Sequence, residues 1–447
     1  MKIYRFLLIS TLYLSVLVAF VIGCKYNVAE PLWNSPPSTT LEATITSIDP
    51  PQAPPGVNII TIHGTNLSSA LDSSRVHSFF ADTTVSHDTT IGYSGVYFSS
   101  MSNNILVTTV PAEIIECSDN LIKVRRPNVA SSSCVVKVAP SKAFIAAQTG
   151  PYSIDAVVAS YGNFIDNVQL SVAVMDSLGN LYVVATATRL TTKVTPDGQK
   201  SVFLTPANQV PTDGRIGPDG SLYLLNKTRK IDVVNLQTGS VTLMPLPTTG
   251  NNLPSGKVVG FGDFDASGYF YTGGVRTGIV VIPPNLIVQT STLYTADNIM
   301  GIRVFNGYLY VLVKAASGSP SLAINRHQIG ANGTLGAQET WASLDNTIAA
   351  SPTISIKSMA FSANGALYLC NNVSSSTSTA TNPNSINPVF IVDPITKNVD
   401  YLYKGIIPAY GSQFCTHSTG LVTYLYIITG DGTSTQKYNV YQVNLGS

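Results

Sequence analysis

The sequence predicts an all-β protein, a β-sandwich followed by a six-bladed β-propeller. Three observations support this prediction. The chain has 447 residues, more than one ordinary hydrophobic core accommodates. Its composition, 44% hydrophobic and only 11% charged, suits strands joined by tight polar turns better than surface helices. Finally, one short phrase recurs along the second half of the chain.

The repeated phrase has the form of a β-hairpin. It reads "DSLGNLYV" at 176–183, "DGSLYL" at 219–224 and "NGALYL" at 364–369. In each copy a short apolar strand meets a turn containing Gly, which adopts positive φ easily, and a second strand starts near a Tyr. A four-stranded unit built this way cannot bury both faces alone, whereas six such units around an axis can. Aligning the copies superposes six tyrosines, Tyr182, Tyr223, Tyr271, Tyr310, Tyr368 and Tyr426.

Residues 158–447 therefore resemble the NHL-repeat and gluconolactonase-like six-bladed propellers. The resemblance rests on the hairpin phrase and its quasi-regular recurrence. The segment "VVASYGNF" at 157–164 precedes the first copy, and we expect it to close the ring by pairing with the last strand, "KYNVYQVNLGS".

Residues 45–157 contain six or seven short apolar runs at regular spacing, which favours an antiparallel sandwich. The runs "ITSIDPPQAPPG", "ITIHGTNL" and "VYF" resemble the IPT/TIG family of immunoglobulin-like domains. That resemblance implies an immunoglobulin-like spacer or interaction domain without catalytic residues. Residues 68–92 depart from it and carry His77 and His87, which could bind a metal, although no third ligand is visible.

The N-terminus has the order of a secretory signal. Lys2 and Arg5 precede an apolar run from 6 to 22, and Gly23 and Cys24 follow. This ending resembles a bacterial lipobox, with Val21 in place of the usual Leu, and implies signal peptide 1–23, acylation of Cys24 and a tether at 24–44. Lys25 fits anchoring in the outer membrane. The alternative is an uncleaved membrane helix.

Four cysteines remain after Cys24. An even number in an exported chain suggests disulfides. The sequence permits three pairings, of which the local one, Cys117 with Cys134 and Cys370 with Cys415, keeps each bond inside one domain. The alternative is four buried free thiols.

The propeller fold places ligands at the central channel. We expect the functional mouth on the face opposite the Gly turns. The long loop at 371–388 should emerge there, either as a solvated insertion or as a lid over the channel. Because Arg holds carboxylates and sulfates bidentately, an acidic sugar polymer is the first ligand class to consider. The candidate binding residues are Arg215, Asn226, Arg229, Asp263, Arg276, Arg303, Lys357 and Asn371.

Catalysis has little support in the sequence. The lactonase-like resemblance implies a channel metal held by Glu, Asn and Asp, yet residues 158–447 contain only Glu339, in a predicted outer strand. Asp213 and Asp263 alone make a weak oxygen-ligand set. We therefore expect no metal and no cofactor. The net charge of +1 gives no indication of nucleic-acid binding.

The favoured interpretation is thus a cell-surface or periplasm-facing lipoprotein. It would bind a polysaccharide or another envelope protein without catalysing a reaction. The alternatives are a metal-dependent lactonase-like hydrolase and a structural envelope or matrix component.

Overall fold

The fold is all-β, as predicted. A computed structural model describes residues 43–67, 95–103, 105–139, 147–164, 169–347, 349, 356–371, 389–408, 410–419, 422–430 and 438–446. These residues form 32 strands and two single turns of 3-10 helix, Thr249–Asn251 and Ala331–Gly333. Within these ranges no helix has the length and apolar character needed to cross a lipid bilayer.

The first eight strands form two four-stranded antiparallel sheets that share one core. The sheet orders are β1-β2-β6-β5 and β4-β3-β7-β8. Alternate residues point inward, so that Ile122 and Val124 of β6 pack with Phe98 and Val136 of the other sheet. The strands are β1 Thr44–Asp49, β2 Ile59–Thr65, β3 Gly95–Ser102, β4 Ile105–Ala112, β5 Ile114–Cys117, β6 Leu121–Arg125, β7 Ser131–Ala139 and β8 Ala147–Ile154. We call this part the sandwich.

The remaining strands form six more four-stranded antiparallel sheets, the blades. The first blade consists of β10 Leu170–Met175, β11 Leu181–Ala185, β12 Thr191–Val194 and β13 Lys200–Val202. The second consists of β14 Asp213–Ile216, β15 Leu222–Leu225, β16 Ile231–Val234 and β17 Val241–Leu243. The third consists of β18 Phe261–Phe264, β19 Phe270–Gly274, β20 Gly278–Ile282 and β21 Gln289–Thr290.

The last three blades complete the series. The fourth blade consists of β22 Asn298–Phe305, β23 Tyr308–Lys314, β24 Leu322–Gln328 and β25 Glu339–Ser343. The fifth consists of β26 Ile356–Phe361, β27 Leu367–Asn371, β28 Val389–Val392 and β29 Val399–Tyr401. The sixth consists of β30 Tyr410–Thr419, β31 Val422–Gly430, β32 Tyr438–Asn444 and β9 Val158–Tyr161.

The blades close into a ring. The first strand of each blade contacts the first strand of the next, and β30 of the sixth blade contacts β10 of the first. The closure is made by β9, which pairs with β32 so that Tyr161 lies opposite Val440 and Val158 opposite Val443. The prediction that residues 157–164 close the ring on the last strand is therefore confirmed.

The repeated phrase is the first hairpin of each blade, and its Asp has a role that the sequence analysis missed. Gly179, Gly220 and Gly268 all have positive φ in these turns. In the first three blades the Tyr hydroxyl donates a hydrogen bond to an Asp carboxylate in the turn, at 3.0 to 3.1 Å. This bond fixes the aromatic side chain of the Tyr to its own hairpin. The pairs are Tyr182 with Asp176, Tyr223 with Asp219, and Tyr271 with Asp265. We call the side of the ring that carries these turns the turn face and the opposite side the loop face.

The sandwich docks against the outer strands of the fifth and sixth blades. The Tyr403 hydroxyl accepts a hydrogen bond from the Gly56 amide at 2.6 Å and donates to the Asn444 carbonyl at 2.9 Å. Glu113 of the sandwich pairs with Lys404 at 2.7 Å. Tyr403 therefore joins the sandwich to two blades at once.

The predicted disulfides are not formed, because Cys117, Cys134 and Cys370 are free thiols. Cys117 is exposed on edge strand β5, whereas Cys134 lies on β7 of the other sheet, inside the core. Cys370 is buried among apolar side chains between the fifth and sixth blades. The local pairing kept Cys117 and Cys134 inside one domain, but the two residues lie on different sheets of that domain. The side chain of Cys415, the tether and signal with Cys24, the insertion with His77 and His87, and residues 372–388 lie outside what the structure describes.

Candidate functional site

A cavity of about 290 Å³ lies in the central channel at its turn-face end, and we call it the channel pocket. Charged side chains of the second to fourth blades line one side, and apolar side chains line the rest. The lining residues are Val174, Met175, Arg215, Ile216, Asp263, Arg303, Val304, Phe305, Ala360 and Phe361.

The three charged residues occupy the same position in consecutive blades. Arg215, Asp263 and Arg303 each lie opposite the repeated Tyr in the blade's first hairpin. This position is close to the hairpin turn, so these side chains are near the turn face. The prediction that these three residues surround the channel mouth on the loop face is wrong. It placed them at the start of the first strand of each blade, whereas they lie near the end of that strand, next to the turn.

A buried carboxylate, that of Asp213, connects two of the arginines. Asp213 is 2% exposed and accepts from Arg303 Nη1 at 3.0 Å, while Arg215 Nη1 lies 3.2 Å from its other oxygen. The backbone amides of Gly214 and Gly262 donate to it at 3.0 and 3.3 Å. Because Gly262 belongs to the third blade and Arg303 to the fourth, Asp213 ties three blades together around the channel.

The Asp263 carboxylate makes a second bridge of the same kind. It accepts from the Val304 amide of the fourth blade at 2.9 Å and from the Phe264 amide at 3.0 Å. Arg215 Nε lies 3.5 Å from it. The two carboxylates and two guanidinium groups balance in charge, so the polar side of the pocket is neutral overall.

Burial has a marked effect on both carboxylates. It raises the pKa of Asp213 to about 6 and that of Asp263 to about 6, although Arg215 and the backbone donors oppose the rise in each case. A water-poor channel in which charge is costly explains this direction.

One donor in this network has no partner. Arg215 Nη2 is buried and makes no hydrogen bond within the described part of the chain. The side chains of Arg215 and Asp263 are still 14% and 19% exposed, so both are reached from the pocket. An unpaired buried donor costs free energy, which a bound acceptor would recover.

The apolar side of the pocket includes a pair of stacked rings. Phe305 and Phe361 lie at the ends of β22 and β26, with ring centroids 4.7 Å apart and an angle of 8° between planes. Tyr310 packs against Phe361 and helps to fix its orientation. The pocket lining therefore includes a rigid pair of aromatic rings as well as charged groups.

The other predicted site residues lie away from this pocket. Asn226 and Lys357 are at the loop-face end of the channel. Arg229 is turned to the Leu253 carbonyl, which its Nε reaches at 2.8 Å, so it anchors a loop. Arg276 is exposed in the turn between β19 and β20. Asn371 is fully buried at the end of β27.

Two side chains of types that bind metals have other partners in the structure. Glu339 lies in outer strand β25, as predicted, and pairs with Arg326 at 2.8 Å. His327 is buried, with Nε2 2.7 Å from the Tyr294 hydroxyl. Across the described ranges, no group of three His, Cys, Asp or Glu side chains is placed to hold a metal ion.

The comparisons with known proteins give fold similarity only. No protein-family model and no curated protein sequence matches the chain. Among solved structures, it is similar to an auxiliary nutrient binding protein from Bacteroides thetaiotaomicron, at 9% identity over 90% of this chain and 98% of that chain, with a TM-score of 0.46.

Two further solved structures are similar at the same level. A protein of unknown function from the same organism has 10% identity over 91% of this chain and 99% of that chain, with a TM-score of 0.45. A gluconolactonase from Xanthomonas campestris has 13% identity over 65% of this chain and 89% of that chain, with a TM-score of 0.46. Such identities transfer no activity or ligand to this chain.

Proposed function

We propose that this protein is a non-catalytic binding protein that takes one unit of a neutral glycan into the channel pocket. The observation that carries the proposal is the lining of one pocket by Arg215, whose Nη2 has no partner among the described residues, by the partly exposed Asp263 and by the stacked rings of Phe305 and Phe361. A sugar hydroxyl accepts from a guanidinium and donates to a carboxylate, and the apolar face of a sugar ring packs on an aromatic wall.

The charge balance favours a neutral sugar over an acidic one. Two carboxylates already lie in a region where burial raises the pKa of each to about 6. An acidic ligand would add a third negative charge there, at a cost in desolvation and repulsion. The proposed ligand class therefore differs from the acidic polymer that the arginines alone suggested. A cavity of about 290 Å³ suits a single sugar unit better than a long chain segment.

Hydrolysis is disfavoured because the carboxylate oxygens are already engaged. Both oxygens of Asp213 accept hydrogen bonds from arginine or backbone donors, and both oxygens of Asp263 accept from backbone amides. A divalent cation prefers several free oxygen ligands, and the guanidinium of Arg215 between the two carboxylates would repel it.

Isothermal titration of the mature chain with a panel of neutral monosaccharides and uronic acids tests the proposal. We expect a neutral sugar to bind, and Arg215→Met to weaken it by about tenfold or more, since a bonded charged donor is lost. Arg326→Met is the matched control, because Arg326 pairs with Glu339 on an outer strand. Unchanged affinity in a folded Arg215→Met protein would place binding outside the pocket.

We also propose that Cys24 is acylated and tethers the protein to the bacterial outer membrane, with the sandwich serving as an IPT/TIG-like, immunoglobulin-like spacer. The order of basic, apolar and Gly-Cys residues supports the anchor. A two-sheet sandwich that precedes the propeller in the chain supports the spacer. Cys24→Ser should release the protein from the membrane fraction; a variant that still sediments with membranes contradicts the anchor.

A further inference from the structure

The loop-face end of the channel carries two lysines and a buried amide, and we call this group the cationic mouth. The first strand of each blade runs from the loop face to the turn face, so Lys357, the second residue of β26, lies near the loop face. Asn226 and Lys227 directly follow β15, which runs in the opposite direction and ends at the loop face. Residues from the second and fifth blades thus lie at the same end of the channel.

Local backbone geometry sets the positions of both lysines at this end of the channel. The β26–β27 register shifts between Ile356 and Ser358, so Lys357 occupies the extra position of a β-bulge, a device that re-aims a side chain. Lys227 has a positive φ of 58° and donates its amide to the Val259 carbonyl at 2.8 Å. The Lys227 Cγ lies 3.2 Å from the position that a Cβ on Gly260 would occupy. The aliphatic part of the Lys227 side chain therefore packs against the backbone just before the third blade.

The positive charges at this mouth are not balanced by the protein. Among the residues that the structure describes, neither Lys227 nor Lys357 forms an ion pair. Burial lowers the pKa of Lys357, and repulsion by Lys227 lowers it further. A half-buried charge without a counter-charge is costly, so an anion bound between the two lysines would be stabilised.

A third donor adds directionality. Asn226 is 8% exposed, and its Oδ1 accepts from Thr228 Oγ1 at 2.6 Å. Its Nδ2 is buried and has no hydrogen-bond partner in the described part of the chain. Buried amide donors are normally satisfied, so this one indicates a missing acceptor.

We propose that the cationic mouth binds a phosphate or sulfate group between Lys227 and Lys357, with the Asn226 amide as an additional donor. Neither lysine belongs to the channel pocket, and this site does not depend on the glycan proposal. A dianionic group matches two ammonium charges, and its several oxygens accept from all three donors at once.

Isothermal titration with inorganic phosphate and with sulfate, in a low-salt buffer free of other oxyanions, tests this site on the mature chain. We expect saturable binding of one anion, weakened about tenfold by Lys227→Met and by Lys357→Met because each removes a charged donor. Lys230→Met is the matched control, since Lys230 is exposed on the same loop, and it should bind as the unmodified protein does. Absence of saturable binding, or equal affinity in all variants, overturns the proposal.

A second measurement does not depend on how well the variants fold. Amine acylation at pH 8, followed by peptide mass spectrometry, reports how accessible each lysine is. Phosphate should protect Lys227 and Lys357 from acylation while leaving Lys230 unaffected. Equal acylation of all three with and without phosphate contradicts the site even where the protein binds phosphate elsewhere.

Discussion

Replacing Arg126 should destabilise the sandwich and loosen its attachment to the propeller. Arg126 follows β6 and is 3% exposed. Its guanidinium donates to the carbonyls of Pro54 at 2.8 Å, Val57 at 3.1 Å and Ala53 at 3.0 Å, and also to the carbonyl of Asp155. Asp155 directly precedes the segment that enters the propeller, so a single side chain holds the opening loop, the core sheet and the connection together.

The size of the effect follows from these contacts. Each hydrogen bond from a charged donor contributes about 1.5–3 kcal/mol net, but four bonds from one group are not additive. Arg126→Met keeps the apolar stem and leaves four carbonyls without this donor. It also removes the cation from above the Tyr403 ring, whose centroid lies 5.7 Å from the guanidinium carbon. We expect a loss of about 3–5 kcal/mol in the free energy of unfolding of the sandwich.

Differential scanning calorimetry measures this directly. The loss corresponds to a fall of about 10–20 °C in the melting temperature of a domain of this size, so the sandwich should melt separately from the propeller. Lys123→Met is the matched control, because Lys123 lies on the same strand and pairs with Glu116 on the surface at 2.7 Å. That exposed pair contributes less than about 1 kcal/mol. If Arg126→Met shifts the melting temperature no more than Lys123→Met, the reasoning about Arg126 is refuted.

Three further predictions concern the hairpins, the buried carboxylates and the thiols. Asp265→Ala should lower the free energy of unfolding by about 2–3 kcal/mol, because Asp265 accepts hydrogen bonds from the amides of Ser267 and Tyr269 and from the Tyr271 hydroxyl. Urea unfolding of this variant and of Tyr271→Phe separates the contribution of the hydroxyl from that of the amides. Between pH 4 and 6 the free energy of unfolding should fall as pH rises, by up to about 3 kcal/mol for each of Asp213 and Asp263, because their pKa is about 6 when folded and 3.8 when unfolded, so the folded state holds more protons there. Asp213→Asn should flatten this dependence, and a variant with an unaltered profile contradicts it. Without reductant, Cys117 should alkylate in the native protein, whereas Cys134 and Cys370 should react only after unfolding, and mass spectrometry that finds any of the three in a disulfide contradicts the assignment.

The propeller was predictable because its signals are local. A Gly with positive φ, a strand of four or five apolar residues and a Tyr at fixed spacing define a hairpin without knowledge of the rest of the chain. The closing strand was also predictable, since a ring leaves one edge that only the residues before the first hairpin can fill. The Asp176 and Asp265 contacts to tyrosine were visible in the repeated phrase, where Asp precedes Gly, but their partner atoms depend on the folded turn.

The face of the channel and the cysteine pairs were predicted wrongly for one shared reason. Both depend on where a residue lies along or across a sheet, which sequence separation does not report. Arg215 pairs with Tyr223 across a short turn, so counting back from the Tyr would have placed it at the turn face. For Cys117 and Cys134 no such local reference exists, because their strands belong to opposite sheets of the sandwich.

The position opposite the repeated Tyr explains why a symmetric ring has an asymmetric channel. The six blades place Val174, Arg215, Asp263, Arg303, Ala360 and Cys415 there. Because the three charged residues occupy adjacent blades, Arg215 reaches Asp263 directly and Asp213 links Arg215 with Arg303. The pair of Asp213 in the second blade with Arg303 in the fourth blade spans the third blade on this side of the channel. The charges are therefore confined to the second to fourth blades, while Val174 of the first blade and Ala360 of the fifth give the cavity an apolar lining at the same position.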